Sequence, residues 1–161
     1  VAVEMAMAIR RRGGNGEVYA IERNEEGLEL IRSNMQKFHG SWQGAHIIKG
    51  EAPEALEELP PPTHAFIGGS GGRMEEIIES LLRANPHVRI VANAITLETV
   101  GEILKCMKRF GFEQGEITQI WAAPVRPVGN CHMPVSCNPV YVAVMQDPIQ
   151  EEDGDLTWQE L

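Results

Sequence analysis

Short apolar segments alternate with amphipathic helical segments along most of this chain, and this alternation constrains its fold more than any other feature. Residues such as Leu28, Ile31, Met35 and Phe38 recur at helical spacing, whereas the segments between helices are brief and apolar. Strands joined through helices pair in parallel. The pattern predicts helices at Val1–Arg12, Glu25–His39, Pro53–Leu59, Arg73–Ala84 and Leu97–Phe110, and strands at Glu17–Glu22, His46–Lys49, Ala65–Gly68 and Arg89–Ala94.

The pattern changes after Gly111. Glu116–Ala122 and Val140–Met145 are predicted as strands, and a loop rich in Pro, Gly and Asn separates them at Pro124–Pro139. Two consecutive strands without a helix between them favour antiparallel pairing. We therefore expect an α/β fold whose Rossmann-like sheet is mostly parallel, covered on both faces and closed by a C-terminal antiparallel hairpin.

Charge and cysteine content limit the possible partners. The formal net charge is −9 and the pI is about 5.0, which argues against a general nucleic-acid binder, since that function needs a basic surface. Three irregularly spaced cysteines do not form a disulfide framework, so we expect the protein to reside in the reducing cytoplasm. No apolar run approaches the roughly 18 residues that span a bilayer. We expect one domain over 1–148 and an acidic tail over 149–161.

Two predicted strands end in residues suited to a nucleoside. Glu22 ends a strand, where doubly wound folds place an acid that accepts hydrogen bonds from ribose hydroxyls. The next strand is followed by Gly50, Glu51 and Ala52. A small residue there lets the backbone approach the flat ring of the nucleoside base, and Glu51 is suited to accept a hydrogen bond from the exocyclic amine of that ring. The alternatives are an acid that meets solvent and an ordinary helix start at Pro53.

A glycine-rich turn, Gly68-Gly69-Ser70-Gly71-Gly72, follows the third strand. Four glycines let backbone amides face a ligand at a helix N-terminus, and a purely structural turn rarely needs so many. The turn lacks the lysine of a phosphate-binding P-loop, which disfavours nucleoside triphosphates.

Asn93 ends the fourth strand, and a polar segment follows it. Thr96 is suited to cap the helix that begins at Leu97, and Glu98 favours the positive end of that helix. Capping leaves Asn93 unexplained, so we consider Asn93 a candidate site residue.

Two other chemistries fit the sequence poorly. Cys131, His132 and Cys137 match no zinc-binding spacing, so we expect no metal. Ser70 lies in Gly69-Ser70-Gly71, which is out of register with the G-x-S-x-G motif of a serine nucleophile.

These motifs together resemble the decarboxylating precorrin-6 methyltransferases of cobalamin biosynthesis, which methylate carbon 15 and belong to the class I methyltransferases. The resemblance runs from residue 1 to about Gln146. It rests most on Phe66–Gly72, Val91–Thr99, His132-Met133 and Asn138–Tyr141, with further similarity at Val1–Ala6 and Gly50–Ala55.

The chain departs from the family's pattern in two places. The family's first strand and glycine-rich cofactor loop are expected upstream of Val1, so we expect a sheet that lacks its first strand and a chain that folds poorly or binds cofactor weakly. The stretch Asn130-Cys131-His132 replaces bulkier, more basic residues.

The resemblance implies methyl transfer from S-adenosylmethionine to a ring carbon of a precorrin, with decarboxylation of an acetate side chain. It also implies a homo-oligomer, most simply a tetramer. The implied cofactor-binding residues are Glu22, Arg23, Gly50, Glu51, Ala52, Gly68 and Gly69; the implied substrate-orienting residues are Ser70, Asn93, Thr96, Glu98 and His132, with Arg73 or Arg126 meeting substrate carboxylates.

Three alternatives stay open at this point. The chain could be a class I methyltransferase that acts on RNA or a small metabolite, a nicotinamide-binding Rossmann domain, or a scaffold that has lost its cofactor. The GGSGG run and the terminal hairpin argue against the nicotinamide reading.

Overall fold

The fold was analysed in a computed structural model, which describes residues 1–40, 43–112 and 114–146. The predicted acidic tail, 149–161, lies outside these described residues. The elements in chain order are α1 Ala2–Arg11, β1 Val18–Glu22, α2 Glu25–His39, β2 Ala45–Lys49, a 3-10 turn at Glu54–Leu56, β3 His64–Ile67, α3 Met74–Ala84, β4 Arg89–Ala94, α4 Leu97–Phe110, β5 Glu116–Ile120, β6 Val125–Val128, β7 Cys131–Pro134 and β8 Val140–Met145.

Two predicted elements differ from the structure. The helix expected at Pro53–Leu59 is only the 3-10 turn Glu54–Leu56. Helix nucleation is costly in so short a segment, and Pro60 disfavours helical backbone at the residue before it. The loop expected at Pro124–Pro139 contains the hairpin β6–β7, whose turn includes Gly129 at φ +60°.

That hairpin escaped the sequence analysis because prolines occupy both of its strands. Pro127 pairs with His132, and Pro134 pairs with Val125. A two-stranded sheet consists of edge strands, in which a proline without an N–H is tolerated. Every residue of β6 and β7 is exposed, so no apolar alternation marked these strands either.

The strands form two larger sheets. β1 and β2 pair in parallel, and the second sheet has the order β3-β4-β8-β5, in which β3 and β4 are parallel and β8 is antiparallel to both β4 and β5. The predicted α/β architecture with a C-terminal antiparallel hairpin is therefore confirmed. Among the described residues, β1 pairs only with β2, and β3 pairs only with β4.

Two apolar clusters hold the helices on the sheets. In the main core, Ile78 of α3 and Ile103 of α4 pack with Ile90 and Met145 of the second sheet, and all four are almost completely buried. A smaller cluster joins Ala6, Val18 and Met35. This packing places the loops that follow β1, β2, β3 and β4 at the carboxyl ends of parallel strands. No helix in the described ranges is long and apolar enough to cross a membrane.

Candidate functional site

The Glu22 carboxylate lies at the carboxyl end of β1, beside the first turn of α2. Its Oε1 accepts a hydrogen bond from the Asn24 N–H at 2.8 Å. A Cβ on Gly27 would lie 2.7 Å from Glu22 Cγ, so glycine at this position gives the Glu22 side chain its space. Gly27 was not predicted, because a glycine in a first helical turn carries no obvious site signal.

The loop after β2 is joined to the end of β1. The Gly50 N–H donates to the Glu22 carbonyl at 3.1 Å, and Arg23 Nη1 donates to Glu51 Oε1 at 2.9 Å. A Cβ on Gly50 would lie 2.9 Å from Ala55 Cβ, so the close approach of these residues requires glycine. Ala52 packs partly against the main core.

The glycine loop after β3 borders both open space and the loop after β2. Gly71 and Gly72 have φ values of +58° and +84°, which favour glycine. A Cβ on Gly69 would meet no atom within 4 Å, whereas one on Gly71 would lie 3.6 Å from Glu51 Oε1. The backbone at Gly69 is therefore open to solvent, and Gly71 lies beside the Glu51 carboxylate.

Asn93 supports this loop from β4. Oriented with its nitrogen toward β3, the Asn93 side-chain amide donates to the carbonyls of Gly68 at 3.0 Å and Ile67 at 3.2 Å. The contact ties the end of β4 to the start of the glycine loop and gives Asn93 a local role.

The segment after β4 matches its predicted local structure. Thr96 Oγ1 accepts from the Thr99 N–H at 3.2 Å, which confirms Thr96 as the N-cap of α4. Glu98 is exposed in the first turn. The carbonyl of Ser70, a half-buried residue, accepts from the Arg73 N–H at 2.9 Å.

The cations predicted to face the substrate lie in two different surroundings. Arg73 donates to Glu54 at 2.6 and 2.9 Å and to Glu76 at 2.7 and 3.0 Å, so carboxylates of the chain already occupy its guanidinium. These hydrogen bonds raise the pKa of Arg73 and lower the pKa of Glu54, so both groups are ionised at neutral pH. Arg126 and His132 lie on the exposed hairpin β6–β7.

An exposed apolar rim at the same edge of the sheet was not predicted. Ile95 and Leu97 follow β4, and Leu97 is 71% exposed; Trp121 follows β5 and is 64% exposed. Because Ala94 pairs with Tyr141, and Ile120 with Val140 next to it on β8, the ends of β4 and β5 share one edge. Apolar residues directly after strand ends were the available sequence signal.

Neither a surface groove nor a metal-binding cluster adds to the candidate site in the described ranges. A groove of about 310 Å³, lined by Met7, Arg10, Arg11 and Phe38, lies at the C-terminal ends of α1 and α2, far along β1 from Glu22. The described residues contain no cluster of three or more His, Cys, Asp or Glu side chains that could hold a metal.

Comparison with known proteins places the chain in a family. Residues 1–146 match the family model described as a precorrin methyltransferase domain. A probable cobalt-precorrin-6B C(15)-methyltransferase (decarboxylating) from Methanothermobacter thermautotrophicus is 36% identical over 156 residues, covering 96% of this chain and 76% of that protein.

Solved structures of precorrin methyltransferases are also similar to this chain. The precorrin-6Y C5,15-methyltransferase of Geobacter metallireducens has a TM-score of 0.72 at 35% identity, covering 82% of this chain and 69% of its own. The C-terminal domain of the Rhodobacter capsulatus precorrin-6Y C5,15-methyltransferase has a TM-score of 0.76 at 29% identity. The match covers 91% of this chain and 73% of that domain. With a family model that matches nearly the whole described chain, this protein belongs to the precorrin methyltransferase domain family.

Proposed function

We propose that this protein transfers a methyl group from S-adenosylmethionine to carbon 15 of a precorrin-6B-type tetrapyrrole, with loss of an acetate carboxyl group as carbon dioxide. The observation that carries the proposal is the meeting of the loops after β1, β2 and β3 in a chain of this family. The Gly50–Glu22 and Arg23–Glu51 contacts join the first two loops, and the Arg73–Glu54 contact joins the second to the third. Family membership favours a precorrin over the RNA, small-metabolite and nicotinamide alternatives.

The residues after these three strands fit the cofactor. S-adenosylmethionine, when bound, supplies an electrophilic methyl group. Glu22 accepts hydrogen bonds from the ribose hydroxyls through the oxygen that Asn24 does not use. Gly50, Glu51 and Ala52 border the adenine, with Arg23 orienting the Glu51 carboxylate. Gly68 and Gly69 allow close approach, since a Cβ on Gly69 would enter open space.

The apolar rim suits one face of a conjugated macrocycle. Ile95 and Leu97 present apolar surface after β4, Trp121 lies farther along the same edge after β5, and the macrocycle covers that surface on binding. Asn93 holds the glycine loop and Thr96 caps α4 within the rim, while Ser70, Glu98 and His132 orient the polar substituents. The protein contributes alignment and exclusion of water.

The deciding experiment is a calorimetric titration with S-adenosylhomocysteine, which binds without reacting. We expect saturable binding by this chain, and about tenfold weaker binding after Glu22→Ala, because a charge-assisted hydrogen bond is lost. Glu29→Ala, which removes an exposed acid of α2, is the control and should bind as the parent does. No detectable binding by the parent, or equal binding by Glu22→Ala, would contradict the proposed site.

We also propose that the protein forms a homo-oligomer, and specifically a homotetramer. Val125, Val128 and Met133 are exposed apolar residues of the hairpin β6–β7 and offer a surface for a second copy. Sedimentation velocity should give a species larger than the monomer, and Val128→Lys with Met133→Lys should dissociate it. A parent protein that sediments as a monomer would rule this out.

Domain extent and compartment complete the proposal. Residues 1–148 would form the catalytic domain, which agrees with the family match over 1–146. The thiols of Cys131 and Cys137 are free and exposed, which suits the reducing cytoplasm.

A further inference from the structure

Arg73 joins two loops that follow different strands. It immediately precedes α3 at the end of the glycine loop (68–72), and its guanidinium binds Glu54 in the loop after β2 (50–56, here the β2 loop). Nη1 donates to Glu54 Oε2 at 2.9 Å and Nη2 to Oε1 at 2.6 Å, which is a bidentate geometry. Nineteen residues separate the two partners in the chain.

The Arg73–Glu54 pair connects loops whose strands belong to different sheets, in addition to the packing of Ala52 against the main core. β2 pairs with β1, and β3 pairs with β4, so among the described residues no backbone ladder sets the distance from β2 to β3. The glycine loop itself has little stiffness, since Gly71 and Gly72 carry no side chains to pack.

Glu76 helps to orient the guanidinium without joining the loops. It lies three residues after Arg73, within α3, and accepts from Nε at 3.0 Å and from Nη2 at 2.7 Å. Arg73 is thereby held by two carboxylates, and only the Glu54 contact crosses from one loop to the other.

We infer that the Arg73–Glu54 pair is a clamp that sets the separation between the β2 loop and the glycine loop, and that both are positioning residues of the site. The clamp replaces the role of Arg73 as a ligand for substrate carboxylates. Its effect on ligand binding rests on the proposed function, because Glu51 and Gly69 lie on the two loops that it joins.

Hydrogen exchange in the ligand-free protein tests the clamp directly. Two amides report on the two loops: the Arg73 N–H donates to the Ser70 carbonyl, and the Ala55 N–H donates to the Glu51 carbonyl, each at 2.9 Å. We expect Glu54→Gln to speed the exchange of both amides about fivefold, because this variant weakens the bidentate ion pair that joins the two loops.

Glu76→Gln is the matched control, since it removes the same charge from the same guanidinium within one helix. It should change both rates less than about twofold. Equal acceleration by the two variants, or no acceleration by Glu54→Gln, would overturn the clamp. Arg73→Lys, which keeps the charge but loses the planar fork, should speed Ala55 exchange as Glu54→Gln does.

A titration of the same variants with S-adenosylhomocysteine links the clamp to the site. We expect about fivefold weaker binding for Glu54→Gln and Arg73→Lys, and unchanged binding for Glu76→Gln. Binding that is unaffected in Glu54→Gln, despite faster exchange, would overturn the positioning role. If the parent binds no S-adenosylhomocysteine, the proposed function fails while the exchange rates still decide whether the clamp exists.

Discussion

Gly27 shows how one residue without a side chain can serve a charged neighbour. It lies in the first turn of α2, where alanine would normally favour the helix, yet a Cβ there would lie 2.7 Å from Glu22 Cγ and 2.8 Å from its Cδ. The clash falls on a flexible side chain, so substitution would move the Glu22 carboxylate and leave the backbone in place.

We therefore predict that Gly27→Ala weakens binding of S-adenosylhomocysteine without destabilising the protein, since alanine gains up to about 1 kcal/mol of helix propensity. Calorimetry and thermal unfolding measure the two effects. Gly101→Ala in α4 is the control, because its Cβ would meet no atom within 4 Å; it should raise stability and leave binding unchanged. Parental affinity in Gly27→Ala would show that Glu22 does not need its present position.

A second residue-scale prediction concerns Glu17, Tyr19 and His46. Tyr19 Oη donates to Glu17 Oε2 at 2.6 Å, and His46, stacked on the Tyr19 ring, places Nε2 3.5 Å from Glu17 Oε1. The hydrogen bond from Tyr19, with a smaller attraction from His46, lowers the pKa of Glu17, and the same bond raises the pKa of Tyr19.

Because the pKa of Glu17 is lowered in the folded protein, its contribution to stability is present above the ordinary glutamate pKa and is lost as the pH falls through the folded value. Tyr19→Phe should raise the pKa of Glu17 toward its ordinary value, as measured by carboxyl NMR titration, with Tyr141→Phe as the control. An unchanged Glu17 titration would remove the Tyr19 bond as the cause.

At the scale of elements, α4 is defined by a polar contact at each end. Thr96 caps its first turn, and Gly111, at φ +75°, follows its last turn with an N–H bonded to the Met107 carbonyl. We predict that Thr96→Ala lowers the free energy of unfolding by about 1 kcal/mol in a urea titration. Thr96→Ser keeps the cap and should cost clearly less; equal losses would mean that the hydroxyl does not carry the effect.

Elements with a clear residue period were predicted more accurately than the exposed hairpin. Strand β4 and helices α2 and α4 have the bounds that the residue pattern predicts, because a local period and a capping residue define them. The hairpin β6–β7 was missed because its exposed residues carry no such period.

At the scale of the whole molecule, the main core unites α3, α4 and the second sheet. Ile78 is fully buried in it, whereas Ile95 at the site edge is 58% exposed. We predict that Ile78→Ala lowers the free energy of unfolding by about 2–5 kcal/mol, and that Ile95→Ala changes it by less than about 0.5 kcal/mol. A comparable loss for both would contradict the assignment of Ile95 to an exposed rim.

Local sequence patterns predict the α/β class, the position of most elements and the residues at the strand ends, because periodicity, glycine and capping residues act within a few neighbours. The family resemblance, read from the same residues, also led to the correct family. Glu22 and Thr96 could be named as candidate site residues because a position at the end of an element is itself a local signal.

Contacts between groups that are distant in the chain are visible only in the folded structure. Arg73 pairs with Glu54 across nineteen residues, Asn93 supports the Gly68 carbonyl, and Gly27 leaves its space to Glu22. Such contacts depend on how the strands and helices pack, and no local pattern encodes which charged partner a flexible arginine will reach. The split between the two sheets was likewise set by strand pairing, which is a property of the assembled fold.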